Sequence, residues 1–206
     1  ARSLEQVKAL EESLKEQLAG TDINDWGAIA FTLDQGRRSY PFRSYLVSDP
    51  LGQFVFNGSS VFKNDKPLIM MFPGQGSQYH KMGQVLREKS LIFKTHFDEA
   101  AAIYQEVSGV NLNDILNHQN SNLVNQTYYT QPALFIVQYA LGRTLIDLGV
   151  KPSVLIGHSV GEYVAATLSQ MFSLRDGIRI ISKRAELMNK VPKGAMLSVA
   201  STLDEV

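Results

Sequence analysis

Five residues, Gly157-His158-Ser159-Val160-Gly161, carry the pieces of a nucleophile. A serine hydroxyl attacks a carbonyl when a base takes its proton and hydrogen-bond donors hold the oxyanion that forms. Ser153 to Ile156 read as a short buried strand, and Tyr163, Val164 and Leu168 as the following helix. Strand, tight turn and helix are the context in which Gly-x-Ser-x-Gly presents its serine at the tip of a strained turn. The two glycines let backbone cross close to backbone. The helix N-terminus favours negative charge at the same spot. The other reading of Ser159 is a plain helix cap.

The N–H of Val160 supplies one oxyanion donor at such a turn. A second comes from Pro73-Gly74-Gln75-Gly76-Ser77-Gln78, a glycine loop after the apolar strand Leu68 to Phe72. The N–H of Gln75 can turn into the cleft at the carboxyl end of that strand. The loop is not a phosphate loop, because no Lys-Ser/Thr follows at the required spacing. The base is harder to find. The histidines are His80, His96, His118 and His158, and none follows Ser159 in the chain. His158 adjoins the serine and is either a site residue or a histidine packed at the strand end. His80 reads as a surface residue.

These groups must be positioned by an α/β arrangement. Asn64-Asp65-Lys66-Pro67 marks a boundary, and beyond it strands and helices alternate. Leu91 to Val107 is an amphipathic helix. Thr130-Gln131-Pro132 opens a strong helix, with Pro132 in its first turn and Gly149 after its end. Ser173 caps a helix through Ile178, Ile181, Ala185 and Met188. Ala195 to Val199 reads as a strand and Thr202 as the cap of a further helix. Before the boundary, Leu4 to Leu18 and Trp26 to Leu33 read as helices. Arg43 to Ser48 reads as a half-buried strand, Asp49-Pro50-Leu51-Gly52 as a turn, and Phe54-Val55-Phe56 and Val61-Phe62 as strands joined by a further turn at Asn57-Gly58.

The chain has 206 residues with 20 basic and 20 acidic side chains, so nothing in its charge points to nucleic acid. No apolar run reaches the length of a membrane span. There is no cysteine, which excludes a disulfide frame, a cysteine nucleophile and thiolate metal sites. That composition fits a reducing cytoplasm, the expected location.

Four motifs stand in order: Phe72-Pro73-Gly74-Gln75-Gly76-Ser77-Gln78, Thr130-Gln131-Pro132-Ala133-Leu134-Phe135, Gly157-His158-Ser159-Val160-Gly161-Glu162 and Arg184-Ala185-Glu186-Leu187-Met188. They resemble the malonyl-CoA:acyl-carrier-protein acyltransferase family over residues 67 to 206. Residues 1 to 66, with Ala30-Phe31-Thr32-Leu33 leading to Gly36-Arg37-Arg38, resemble the linker between ketosynthase and acyltransferase in modular polyketide synthases.

The resemblance implies a fold and a set of roles. The fold is α/β: an α/β-hydrolase-like parallel sheet with a nucleophile elbow, incomplete in this chain. A small α+β linker domain (1–66) precedes the first part of the large acyltransferase subdomain (67–193). Residues 194–206 resemble the start of a ferredoxin-like subdomain. Ser159 would carry the acyl group as an ester, with Gln75 and Val160 giving the oxyanion N–H groups. Arg184 would hold the carboxylate of a malonyl unit; without the resemblance it reads as a surface residue of an amphipathic helix. Gln131 and His158 would line the substrate site. Malonyl-CoA would be the donor, and the acceptor the phosphopantetheine thiol of an acyl carrier protein. A ketosynthase would be the neighbour in the same polypeptide. No tightly bound cofactor and no metal are expected. The family's catalytic histidine would lie past Val206, so the chain alone is expected to be inactive. The aliphatic Val160 leans towards malonyl over methylmalonyl. Two alternatives stand: a non-catalytic acyltransferase remnant used for docking or spacing, and a serine esterase or thioesterase.

Overall fold

In the computed structural model the described residues are 1–49, 51–61, 67–192, 194 and 202, and the side chains of 55–57, 59 and 60 are outside the description. The chain divides into two units, Ala1–Lys66 and Pro67–Val206.

The first unit is built on two helices and a hairpin. Helix α1 (Leu4–Ala19) starts at Ser3, whose hydroxyl accepts from the Gln6 N–H, and stops at Gly20. Its Val7 and Leu18 are buried, and Lys15 pairs with Glu11 at 2.7 Å. Glu11 also accepts from the Ser44 hydroxyl at 2.8 Å, which ties the helix to the hairpin. Helix α2 (Trp26–Gln35) follows a 3-10 turn capped by Asp22. Strands β1 (Phe42–Ser48) and β2 (Phe54–Val61) pair antiparallel, Phe42 opposite Val61. The expected turn at Asn57-Gly58 is not there. Both residues lie inside a continuous β2, opposite Leu46 and Tyr45. The turn expected at Asp49 to Gly52 is the one that joins the two strands: the Asp49 carboxylate accepts from the N–H groups of Leu51 and Gln53 at 2.9 and 2.8 Å, and the Gly52 N–H donates to the Asp49 carbonyl at 3.1 Å. Gly58 serves the strand by leaving room for the Tyr45 ring, since a Cβ there would stand 2.9 Å from the Tyr45 hydroxyl.

The second unit packs helices on one face of a small parallel sheet. Strand β3 (Ile69–Phe72) pairs with β4 (Val154–Gly157), Phe72 opposite Gly157. Between them run α3 (Gln84–Lys89), α4 (Leu91–Ser108), α5 (Leu112–Leu116) and α6 (Thr127–Asp147). After β4 come α7 (Val160–Leu168) and α8 (Leu174–Lys190). Helix α6 is the hub: it packs on α4, α7 and α8, and Leu134, Phe135, Ile136 and Ala140 are shut from solvent. Phe93, Phe97, Tyr104, Ile178 and Ile181 close the core around it.

Two expectations are corrected here. Helix α6 begins at Thr127, so Pro132 is its sixth residue and not in its first turn. Proline has no N–H, so the carbonyl of Tyr128 lacks its helical donor. The Thr130 hydroxyl, 2.6 and 2.9 Å from the carbonyls of Val124 and Gln126, shares its one proton between them and ties the start of the helix to the segment before it. The strands expected to be buried are buried on one face only. Met70 and Phe72 face the helices, while Ile69, Met71, Val154 and Ile156 are exposed. The strand Ala195 to Val199 and the helix after Thr202 fall outside the described residues.

Candidate active site

The site is built where β3 and β4 end together. The His158 N–H donates to the Phe72 carbonyl at 2.9 Å, one step beyond the last paired residues. The chain then reverses at Ser159, with φ 53° and ψ −111°, and α7 begins at Val160. A non-glycine residue at such angles costs about 1–3 kcal/mol and persists only where its surroundings over-determine it. The surroundings are two backbone crossings. A Cβ on Gly157 would stand 2.1 Å from the Glu162 nitrogen, and one on Gly161 would stand 2.0 Å from the Phe72 carbonyl oxygen. Only glycine fits either place, and together they force the serine outward.

The glycine loop after β3 lies against this turn. A Cβ at Gly74 would be 3.3 Å from the Ser159 Cβ and 2.7 Å from His158 Nδ1. Side-chain hydrogen bonds pin the loop to other segments. Gln138 Nε2 on α6 donates to the Pro73 carbonyl at 3.1 Å, and Gln75 Nε2 donates to the Thr127 hydroxyl at 3.2 Å. Gln78 Nε2 donates to Asn125 Oδ1 at 3.0 Å. The N–H groups of Gln75 and Val160 donate to no described residue. Two donors at one strand end, flanking a serine, are the arrangement that holds a developing oxyanion.

Arg184 reaches the same point from α8. Its Nη2 donates to Ser159 Oγ at 3.0 Å, and its Nη1 donates to Gln131 Oε1 at 2.5 Å. Its guanidinium carbon lies 5.8 Å from the centre of the Tyr163 ring. Gln131 is fully buried, and its Nε2 meets the sulfur of Met188 at 3.2 Å. Among the described residues no carboxylate pairs with Arg184. Glu186, two residues on, is held by Lys183 and Lys190 at 2.8 and 2.5 Å, and these ammonium groups pull its carboxyl down to about 2. The Arg184 charge therefore faces the serine unneutralised.

Ser159, Gln75, Val160, Arg184, Gln131 and His158 thus converge from four separate segments. Val160 contributes its N–H only, because its side chain is fully buried in the core. His158 is exposed beside Gly74 and makes no hydrogen bond to Ser159. His96 pairs with Asp147 at 2.6 Å, and His118 Nδ1 accepts from the Asn120 N–H at 3.1 Å. His80, expected on the surface, is half-buried, with Nε2 shut from solvent and unpartnered among the described residues. Its neighbours are held to the core, with Met82 buried and the Lys81 N–H donating to the Leu116 carbonyl at 3.0 Å, a constraint its own residue type does not report.

A family model described as the acyl transferase domain matches residues 69–206. The chain belongs to the acyl transferase domain family. A phenolphthiocerol/phthiocerol polyketide synthase of Mycobacterium tuberculosis is 38% identical over 139 residues, which are 68% of this chain and 9% of that protein. The solved acyl transferase domain of ZmaA superposes with a TM-score of 0.82 at 31% identity, over 94% of this chain and 48% of that one. A malonyl-transacylase solved in complex with a type II polyketide synthase acyl-carrier protein matches at TM-score 0.56 and 31% identity, over 63% of this chain and 41% of that one. The chain thus spans about half of one solved acyl transferase domain and a small part of the synthase. The likeness to polyketide synthase acyltransferases read from the four motifs holds, and the fold is α/β as they implied.

Met188 closes the fourth motif but was given no role in the site, and Tyr163 and Gln138 were not among the expected site residues. Tyr163 and Met188 stand at i+4 from Ser159 and Arg184, one helical turn on, which is the signal that could have found them.

Proposed function

We propose that this acyl transferase domain moves a malonyl unit from CoA to the phosphopantetheine thiol of an acyl carrier protein through an ester on Ser159. The observation that carries the reading is the Arg184 cation, paired with no carboxylate among the described residues, donating to the Ser159 hydroxyl at 3.0 Å. A neutral ester needs no cation beside the nucleophile, whereas an acyl group ending in a carboxylate is matched by a planar guanidinium. Ser159 Oγ attacks the thioester carbonyl and gives its proton to a base. The oxyanion rests on the N–H groups of Val160 and Gln75 until the carbon–sulfur bond breaks and the CoA thiol leaves with a proton. The pantetheine thiol reverses these steps to take the acyl group. Each oxyanion donor contributes about 10²–10³ in rate.

In this reading Gln131 lines the site and holds Arg184, and His158 borders the substrate. The base is expected outside positions 1–206, so the 206-residue chain alone is inert. Residues 1–66 are the ketosynthase–acyltransferase linker, 67–193 the first part of the large subdomain, and 194–206 the start of a ferredoxin-like subdomain. No described helix is long and apolar enough to cross a membrane, and the cytoplasm is the proposed location. The carrier protein as partner is supported by the complex of the related malonyl-transacylase, and a ketosynthase neighbour by the related polyketide synthase.

Intact mass after incubation with malonyl-CoA tests the reading. The full-length protein should gain one malonyl group, which Ser159→Ala abolishes, and malonyl-CoA should outcompete methylmalonyl-CoA. No label on the full-length protein would pass the lead to a docking or spacing role.

A further inference from the structure

Arg184 is held from three sides, and only the Ser159 side belongs to the reaction. Beneath the guanidinium is the Tyr163 ring, its centre 5.8 Å from the guanidinium carbon and within the range where a ring face attracts a cation. Tyr163 is on the first turns of α7 and is half-buried against the core, so its ring has a fixed plane. At the guanidinium edge, Gln131 Oε1 accepts from Nη1. A glutamine amide can rotate end for end, and then an NH2 would face the guanidinium donors. The Met188 sulfur opposes that. It is an acceptor only, 3.2 Å from Gln131 Nε2, and it assigns the nitrogen to its own side and the oxygen to Arg184. Met188 stands one turn after Arg184 on α8, so a single helix face carries both the cation and the group that orients its acceptor.

We propose that Tyr163 and Met188 are positioning residues that fix the plane and direction of the Arg184 guanidinium, and so set the enzyme's preference for acyl donors bearing a carboxylate. This rests on the reading of Ser159 and Arg184 given above. Tyr163 sets the plane from beneath, and Met188 acts through Gln131. Neither touches the reacting carbonyl. A guanidinium free to tilt would still be charged, but its two parallel donors would meet a carboxylate out of register.

The test is acylation kinetics of the full-length protein with malonyl-CoA and, as a donor without a carboxylate, acetyl-CoA. The wild type must first place a malonyl group on Ser159; failure there sinks the functional reading itself. Given that, Tyr163→Leu should raise KM for malonyl-CoA about tenfold with kcat changed less than about twofold, since the contact is made with bound donor and transition state alike. Met188→Leu, which keeps the volume and removes the acceptor, should raise it about threefold. Tyr163→Phe, which keeps the ring, should behave as wild type. Acetyl-CoA kinetics should not move in any of them. In an Arg184→Ala background, Tyr163→Leu should have no further effect on malonyl-CoA, because the group it positions is gone. Equal losses with both donors would mean that the two residues only hold the fold together. Unchanged malonyl-CoA kinetics, or full additivity with Arg184→Ala, would equally overturn the proposal.

Discussion

A single methyl group at position 157 or 161 would break the site without touching any reacting atom. Both places are backbone against backbone, at 2.1 and 2.0 Å, so no rotamer change can relieve the clash. Gly161→Ala should therefore cost about 3 kcal/mol or more, at the upper end of overpacking losses, and should lower the urea midpoint accordingly. The same substitution should pull β3 and β4 apart and disturb the Ser159 turn, so acylation should fall with stability. At this scale the site was largely legible. Gly-x-Ser-x-Gly needs its two glycines for close approach, and that requirement is written in residue type. Arg184 and Gln131 were legible only through motif resemblance, since spacing alone made them a surface arginine and a cap residue. The roles of Tyr163 and Met188 were not legible. An aromatic and a methionine on helical faces read as core, and only the fold shows which of them stands under a cation.

Among the elements, α4 carries a titration that burial displaces. Tyr104 is 1% exposed, and burial is the main cause that pushes its phenol from 10.0 up to about 12. The proton is thus held more tightly in the folded chain than in the unfolded one. Stability from this group is intact below pH 10 and drains as pH rises from 10 to 12. The slope is about 1.4 kcal/mol per pH unit where only the unfolded form ionises. Urea midpoints measured across that window should fall, and Tyr104→Phe should flatten most of the fall. Burial raises Tyr139 on α6 in the same direction, so a smaller slope should remain. Helices α4 and α8 were readable because their apolar period and caps are local. The start of α6 was not, because proline marks a first turn by preference and here sits inside the helix, whose start the Thr130 hydroxyl ties to the segment before it. The turn at Asp49 was readable from residue type, but the second one at Asn57-Gly58 was not real. Asn-Gly is a strong turn signal, and here it yielded to strand pairing that sets Gly58 against the Tyr45 ring.

For the molecule as a whole, the two faces of the β3–β4 pair differ sharply, and strand sequence alone could not say so. Parallel register sets Ile69 opposite Val154 and Met71 opposite Ile156. All four are exposed, Met71 at 75%, while Met70 and Phe72 beneath them are under 10%. A continuous apolar run reads as a strand buried on both faces, because side chains record only that a strand is apolar and not what lies above it. Substitutions on the two sides should therefore differ in size. In the 206-residue chain Met71→Thr should change stability by less than about 0.5 kcal/mol, as an exposed strand position with no core contact to lose. Phe135→Ala, at a site with no exposure, should cost about 3–5 kcal/mol. Urea unfolding of both variants checks the contrast, and repeating Met71→Thr in the full-length protein extends it. A loss there of about 2 kcal/mol or more, absent from the 206-residue chain, would match the burial of one large apolar side chain and would mean that other parts of the polypeptide cover this face. An equally small effect in both would leave the face open to solvent.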